Sequence, residues 1–145
     1  MPAPFVIFFD IGDTLAAPRL SAEGRLTALE PFPFVLDVLG RLRPRCPLGV
    51  ISNTGTETLE TMKTVLAGSG LAPFFAKNLL LFSSVEGKDK KQKAFFQLAV
   101  ERAGVPAERC VYVGEDAAER DVARSAGMLV SFHPLHVFYV IKQMN

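Results

Sequence analysis

The sequence predicts a doubly wound α/β domain built on a mainly parallel sheet. Two observations carry that expectation. Short apolar runs alternate with longer stretches of helical periodicity along the chain. The apolar runs also lack strict in–out alternation, the pattern of strands covered on both faces.

Five runs read as strands: "FVIFF" (5–9), "LGVIS" (48–52), "LLLF" (79–82), "CVYVG" (110–114) and "MLVSF" (128–132). Between them, "PFVLDVLGRLRP" (33–44) reads as a helix stopped by Pro44, which cannot continue the hydrogen-bond ladder. Thr54 and Glu57 fit a capping box opening a helix that ends near Gly68 or Gly70. Residues 91–104 set Phe95, Leu98, Ala99 and Arg102 at helical spacing, and Gly104 suits a left-handed cap. Residues 116–127 repeat that logic and end on Gly127. The apolar tail, 133–145, is expected to pack as a short helix or strand. Residues 16–30 break the rhythm and read as a loop or flap overhanging the end of the first strand.

Bulk properties narrow the function classes. A chain of 145 residues supports one domain with a sizeable core, so residues 1–145 are read as a single core carrying a flap. Sixteen basic against 15 acidic side chains give a net charge of +1, which offers no bulk attraction to nucleic acid or an anionic membrane. No apolar run approaches the length of a membrane span, and the first is cut by Asp10 without a basic segment before it. Cys46 and Cys110 fit no metal or redox spacing and read as buried thiols in a reducing compartment. A soluble cytoplasmic domain is the expectation.

In parallel α/β sheets, ligands bind beyond the carboxyl ends of the strands. There stand Asp10, Gly12, Asp13 and Thr14 after the first strand, and Ser52, Asn53 and Thr54 after the second. Ser83 and Ser84 follow the third, then a lysine-rich run with Lys88, Lys90, Lys91 and Lys93. Gly114, Glu115, Asp116 and Glu119 follow the fourth. Carboxylates, hydroxyl and amide donors and a lysine on one rim can hold a hard divalent cation and stabilise a transferring phosphoryl group. A carboxylate such as Asp10 can then act as covalent nucleophile.

Across almost the whole chain, and in order, these segments resemble the haloacid dehalogenase-like (HAD) superfamily. "FFDIGDTL" is similar to its first motif, D-x-D-x-T, with Asp10 on the nucleophile and Thr14 on the closing threonine. "GVISNT" is similar to the second motif, putting Ser52 on the phosphate-binding hydroxyl with Asn53 beside it. "EGKDKKQKAFFQLAVERAGV" is similar to the third, with Lys90 on the motif lysine. "VYVGEDAAERDVARSAGM" is similar to the fourth, with Glu115 and Glu119 on its two acids and Asp116 as a substitute for Glu115. The resemblance implies a three-layer α/β/α, Rossmann-like fold whose five strands run in the order 5-4-1-2-3. It also implies an aspartyl phosphate on Asp10, phosphate binding by Ser52, Asn53 and Lys90, and Mg²⁺ held by Asp10, the carbonyl of Gly12 and the fourth-motif acids.

The chain departs from the family in three ways. Gly12 replaces the acid that protonates the leaving group and then activates water. Asp13, one position late, is the remaining candidate for that catalytic task, its other use being to cap the turn. Glutamates replace aspartates at 115 and 119. The 35 residues from Leu15 to Gly49 leave room for a flap but not a helical cap domain, as in capless or minimal-cap members. An open site of that kind suits a small phosphorylated substrate, a phosphorylated macromolecule, or closure by a partner chain such as a second copy.

Plainer readings stand beside these. Glu115 and Glu119 also suit a helix N-terminus, where the dipole favours acids. "GK" at 87–88 lacks P-loop spacing, and His133 and His136 lack further ligands for zinc. The functional expectation is a Mg²⁺-dependent phosphohydrolase; its rival is a binding module without turnover, suggested by Gly12. A receiver-like phosphoacceptor domain fits poorly, because Lys90 precedes the last acids and the third strand ends in serines.

Overall fold

The computed structural model describes residues 4–144; Met1, Pro2, Ala3 and Asn145 lie outside the described residues, and so does that part of the expected 1–145 domain. The first strand, β1 (Val6–Phe9), is buried along its whole length. A strand with no polar face must be covered on both sides, so it takes the middle of the sheet. The hairpin strands β2 (Ala16–Leu20) and β3 (Leu26–Pro31) follow, then α1 (Val35–Leu42) and β4 (Leu48–Ser52). Next come α2 (Leu59–Ser69), β5 (Leu80–Phe82), the one-turn α3 (Ser83–Glu86) and α4 (Lys93–Ala103). The chain ends with β6 (Cys110–Val113), α5 (Ala117–Ser125), β7 (Leu129–Ser131) and α6 (Val137–Gln143).

The main sheet runs β5-β4-β1-β6-β7 and is parallel throughout, the order the sequence led us to expect. Side chains alternate across β1 and define two cores. Ile7 and Phe9 join a cluster that includes Leu39, Leu42, Met62 and Ile141, from α1, α2 and α6. Val6 and Phe8 join Phe95, Phe96, Ala99 and Ala123, from α4 and α5. Helices therefore cover both faces, giving three layers.

Two local expectations change, and a third is resolved. Residues 16–30 form an antiparallel hairpin, pairing Ala16 with Pro31 and Ala17 with Glu30, rather than a loop. The second helix starts later than the Thr54/Glu57 capping box requires. Thr58 caps it, its hydroxyl accepting the Thr61 amide at 3.1 Å. Thr54 and Glu57 are committed elsewhere. Thr54 Oγ1 lies 2.6 Å from Ser84 Oγ and accepts the Ser84 amide, while Glu57 reaches the hairpin. The tail is helical, and His136 bonds Ser131 Oγ through Nδ1 at 2.8 Å while stacking on Phe132.

Two glycines distinguish packing from propensity. At Gly49 a Cβ would lie 2.6 Å from the Leu79 carbonyl oxygen and 2.8 Å from the Phe8 ring, so β4 approaches its neighbours only without a side chain. Gly68 lies on the exposed face of α2 with open space around it. Urea melts should show Gly49→Ala destabilised by about 1–3 kcal/mol through overpacking. Gly68→Ala should instead gain about 0.5–1 kcal/mol.

Candidate active site

β1 delivers Asp10 to the carboxyl rim. Its amide still donates to the Val113 carbonyl at 2.9 Å, so the strand ladder fixes its backbone. The chain then turns tightly, the Ile11 carbonyl accepting the amides of Thr14, Leu15 and Ala16. Asp13 sits in this turn at φ 61°, the only non-glycine in the left-handed region among the described residues. Asp tolerates that conformation better than most side chains, and Asp13 is exposed. Thr14 is buried; its hydroxyl donates to Asp10 Oδ2 at 3.2 Å and accepts the Glu115 amide at 3.3 Å, which ties the β1 exit to the β6 exit.

Lys90 approaches from the loop before α4 and is 2% exposed. Its Nζ lies 2.5 Å from Asp10 Oδ1 and 3.2 Å from Glu119 Oε1, and 5.4 Å from the Tyr112 ring centre. Glu119 Oε1 also accepts the Tyr112 hydroxyl at 3.1 Å. Burial, with Asp10 and Glu119 adding to it, holds the Tyr112 phenol far above its usual range, so it remains a neutral donor. Gly114 must be glycine, since a Cβ there would lie 2.6 Å from the Tyr112 hydroxyl. Asn53 sets the lysine's backbone, its Oδ1 accepting the Lys90 amide at 3.0 Å, which leaves its amide nitrogen for a ligand. Ser52 is buried at the end of β4.

The three acids after β6 diverge. Glu115 is exposed; partial burial and then the fields of Asp10, Asp116, Asp13 and Glu119 raise its carboxyl above the usual range. Asp116 caps α5, accepting the Glu119 amide at 2.9 Å. Glu119 is a second counter-ion for Lys90. Asp116 and Glu119 thus have partners other than the metal expected for them. Among the described residues no three His, Cys, Asp or Glu side chains gather around one point. Asp10 is likewise bonded, by Lys90 and Thr14, and around it the oxygens that could also face a cation are the Gly12 carbonyl and Glu115. They are hard oxygens of the kind Mg²⁺ takes, with one or two carboxylates and the octahedron completed by water and substrate.

Beside this cluster, a cleft of about 410 Å³ opens between the hairpin and the β4–α2 connection, with Gly12, Ser52 and Asn53 in its lining. Glu57 fastens its roof. Its carboxylate accepts the Leu26 amide at 2.9 Å and pairs with Arg25 at 3.0 and 3.3 Å. Arg25, then the Leu26 amide, hold the Glu57 carboxyl below its usual range. Neither Tyr112 nor the Arg25–Glu57 tie was visible in the sequence. Tyr112 reads as one more buried strand residue, and Glu57 carries a capping signature.

A family model for haloacid dehalogenase-like hydrolases matches residues 10–127. The chain belongs to that family. This HAD-like hydrolase is 33% identical over 92 residues to the pyrimidine 5'-nucleotidase YjjG of Escherichia coli K12. The match covers 63% of the chain and 39% of that enzyme, so the chain spans about two fifths of its curated relative. Among solved structures, an uncharacterized protein from Listeria monocytogenes superposes with a TM-score of 0.79 at 15% identity, covering 97% of this chain and 98% of the other. The 2-haloacid dehalogenase of Pseudomonas syringae pv. Tomato superposes at 0.75 and 17% identity, covering 99% and 100%. At these identities the two structures establish the HAD fold alone.

Two outcomes check this geometry. Lys90→Met leaves Asp10 and Glu119 facing each other without a cation and should cost on the order of 3 kcal/mol in a denaturant melt. The Glu57 tie should respond to acid. A carboxyl held below its usual range stabilises the fold above the unfolded value of about 4.3 and loses that contribution as pH falls through the folded value. Hydrogen exchange at Leu26, corrected for intrinsic rate, should therefore show protection at pH 7 that is lost near pH 3. Glu57→Ala should lose it at pH 7.

Proposed function

We propose that this HAD-like hydrolase cleaves phosphomonoesters through an aspartyl phosphate on Asp10, with Mg²⁺ as cofactor. The observation that carries this reading is the buried Lys90 ammonium held against Asp10. A buried ion pair is weak as a stabilising device, so its position at the strand ends beside Ser52 and Asn53 argues for chemistry. The E. coli relative named as a nucleotidase supports the same reaction class.

Lys90 orients Asp10 through its first oxygen, and Thr14 fixes the second. An Asp10 oxygen attacks phosphorus, the ester P–O bond breaks, and the alcohol departs with a proton drawn from water or from Asp13. Water then attacks the aspartyl phosphate and releases inorganic phosphate, restoring the carboxylate. Lys90, the Ser52 hydroxyl and the Asn53 amide would receive the phosphoryl oxygens. Mg²⁺ held by Asp10, the Gly12 carbonyl and Glu115 would supply charge neutralisation. Gly12 favours a second reading, a binding module without turnover. In favour of the first, the nucleophile, hydroxyl and lysine are all present. Two free cysteines, Cys46 and Cys110, both buried, are in keeping with a reducing compartment such as the cytoplasm. No described helix is long and apolar enough to cross a membrane.

The test is an assay of phosphomonoesters with Mg²⁺. Turnover and an acid-stable phosphoenzyme are expected from the natural chain and should vanish in Asp10→Asn; activity that survives this change sinks the mechanism. Leaving groups of low basicity, such as p-nitrophenol, should react faster than alkyl alcohols because position 12 supplies no proton. An added Cβ at Gly12 meets nothing within 4 Å, and the residue is outside the left-handed region, so the backbone admits an acid there. Gly12→Asp should raise turnover of alkyl phosphates by about 10²–10⁴-fold, with a smaller effect on aryl phosphates.

A further inference from the structure

The cleft under the hairpin has a composition that the proposed chemistry alone does not require. Its floor carries Gly12, Ser52 and Asn53, next to Asp10. Its walls are mainly hydrocarbon or thioether, from Ile11, Pro18, Leu20, Leu26, Leu29 and Met62, with Thr54 and Thr56 on the β4–α2 side. The one acid in the lining, Glu57, is consumed by Arg25 and the Leu26 amide. Leu20 leaves 60% of its surface in solvent, one of the most exposed large apolar side chains among the described residues, and it stands on the cleft. An unpaired apolar wall continuous with a polar, phosphate-sized floor calls for a ligand that is polar at one end and apolar at the other.

We propose that this cleft is the leaving-group subsite and that it selects phosphomonoesters whose leaving group is a compact, uncharged alcohol, phenol or enol with an apolar body. The assignment of the floor as the phosphoryl end rests on the function proposed above. A phosphoryl group at Asp10, between Gly12 and Ser52, has its ester substituent next to the mouth of the cleft. There the substituent displaces water from Leu20, Leu26 and Met62. The walls offer few side-chain donors for a polyol, since the Thr54 hydroxyl is shared with Ser84 and only Thr56 adds another, so most sugar hydroxyls entering them would lose water without gaining partners. The volume, about 410 Å³, lies in the range that small organic ligands fill. The Glu57 tie gives this subsite a fixed roof, which limits the ordering cost of binding.

The experiment measures affinity, so that it reads out whether or not turnover occurs. Methyl-, ethyl-, propyl- and butylphosphonate, which cannot be hydrolysed, are titrated calorimetrically into the full chain with Mg²⁺, alongside glycerol 3-phosphate and uridine 5'-monophosphate. The expected result is a dissociation constant falling about fourfold per methylene, the gain from burying one CH₂. Both polar comparators should bind more weakly than butylphosphonate. Leu20→Ser, a change at an exposed position, should flatten the series and lower the butyl-to-methyl ratio. A flat series in the natural chain, an undiminished slope in Leu20→Ser, or tighter binding of either comparator overturns the proposal. A steep series without turnover of any ester overturns only the catalytic reading.

Discussion

The site is organised around one buried charge. The Lys90 ammonium lies almost fully out of water, and such a group is tolerable only where carboxylates meet it. Asp10 and Glu119 do so from β1 and α5, so the two elements must be adjacent, and the pairing of β1 with β6 makes them so. Tyr112 underlies the ammonium and donates to Glu119; its bulk in turn requires glycine at 114. Asn53 pins the lysine's backbone from the end of β4. Strand order, a glycine and an asparagine thus all serve one ion cluster.

The turn after β1 redistributes what the motif usually concentrates. Gly12 stands in an ordinary backbone region with open space around it, whereas Asp13 occupies the left-handed one. The side chain and the left-handed conformation therefore coincide at 13, where the residue is exposed. A one-residue displacement in a tight turn moves a carboxylate from one environment to another, because successive side chains there diverge strongly. Thr14, the next residue, keeps its place, binding both Asp10 and the Glu115 amide.

The sequence made the sheet readable and left much of the site unreadable, for a physical reason. Strand identity follows from continuous apolar runs such as "FVIFF", a local signal that burial on both faces enforces. The helix stops at Gly70 and Gly104 were equally local, since left-handed caps favour glycine. Glu57 shows the opposite. Its capping signature is genuine as a pattern, but the hairpin's Leu26 amide and Arg25 compete for the same carboxylate, and that competition appears only when the chain is folded. Asp116 and Glu119 divide in the same way, one taken by a helix end and the other by Lys90. The resemblance to the fourth motif implied a metal role for Glu119, with Asp116 as a substitute for Glu115.

The two proposals constrain each other. A carboxylate at position 12 would put a charge at the floor of a cleft whose walls are mainly hydrocarbon, which would favour polar over apolar leaving groups there. Glycine keeps that floor neutral and leaves the apolar wall continuous with the phosphoryl end. The same glycine removes the nearest proton donor for a departing alkoxide. A leaving group suited to this site must then satisfy both conditions. It has to be apolar enough to gain from Leu20, Leu26 and Met62, and acidic enough to depart without a proton. Simple alkyl alcohols meet the first condition and fail the second; sugars fail both. Phenols and enols of modest size meet both, which places aryl or enol phosphates at the intersection of the packing argument and the proton argument.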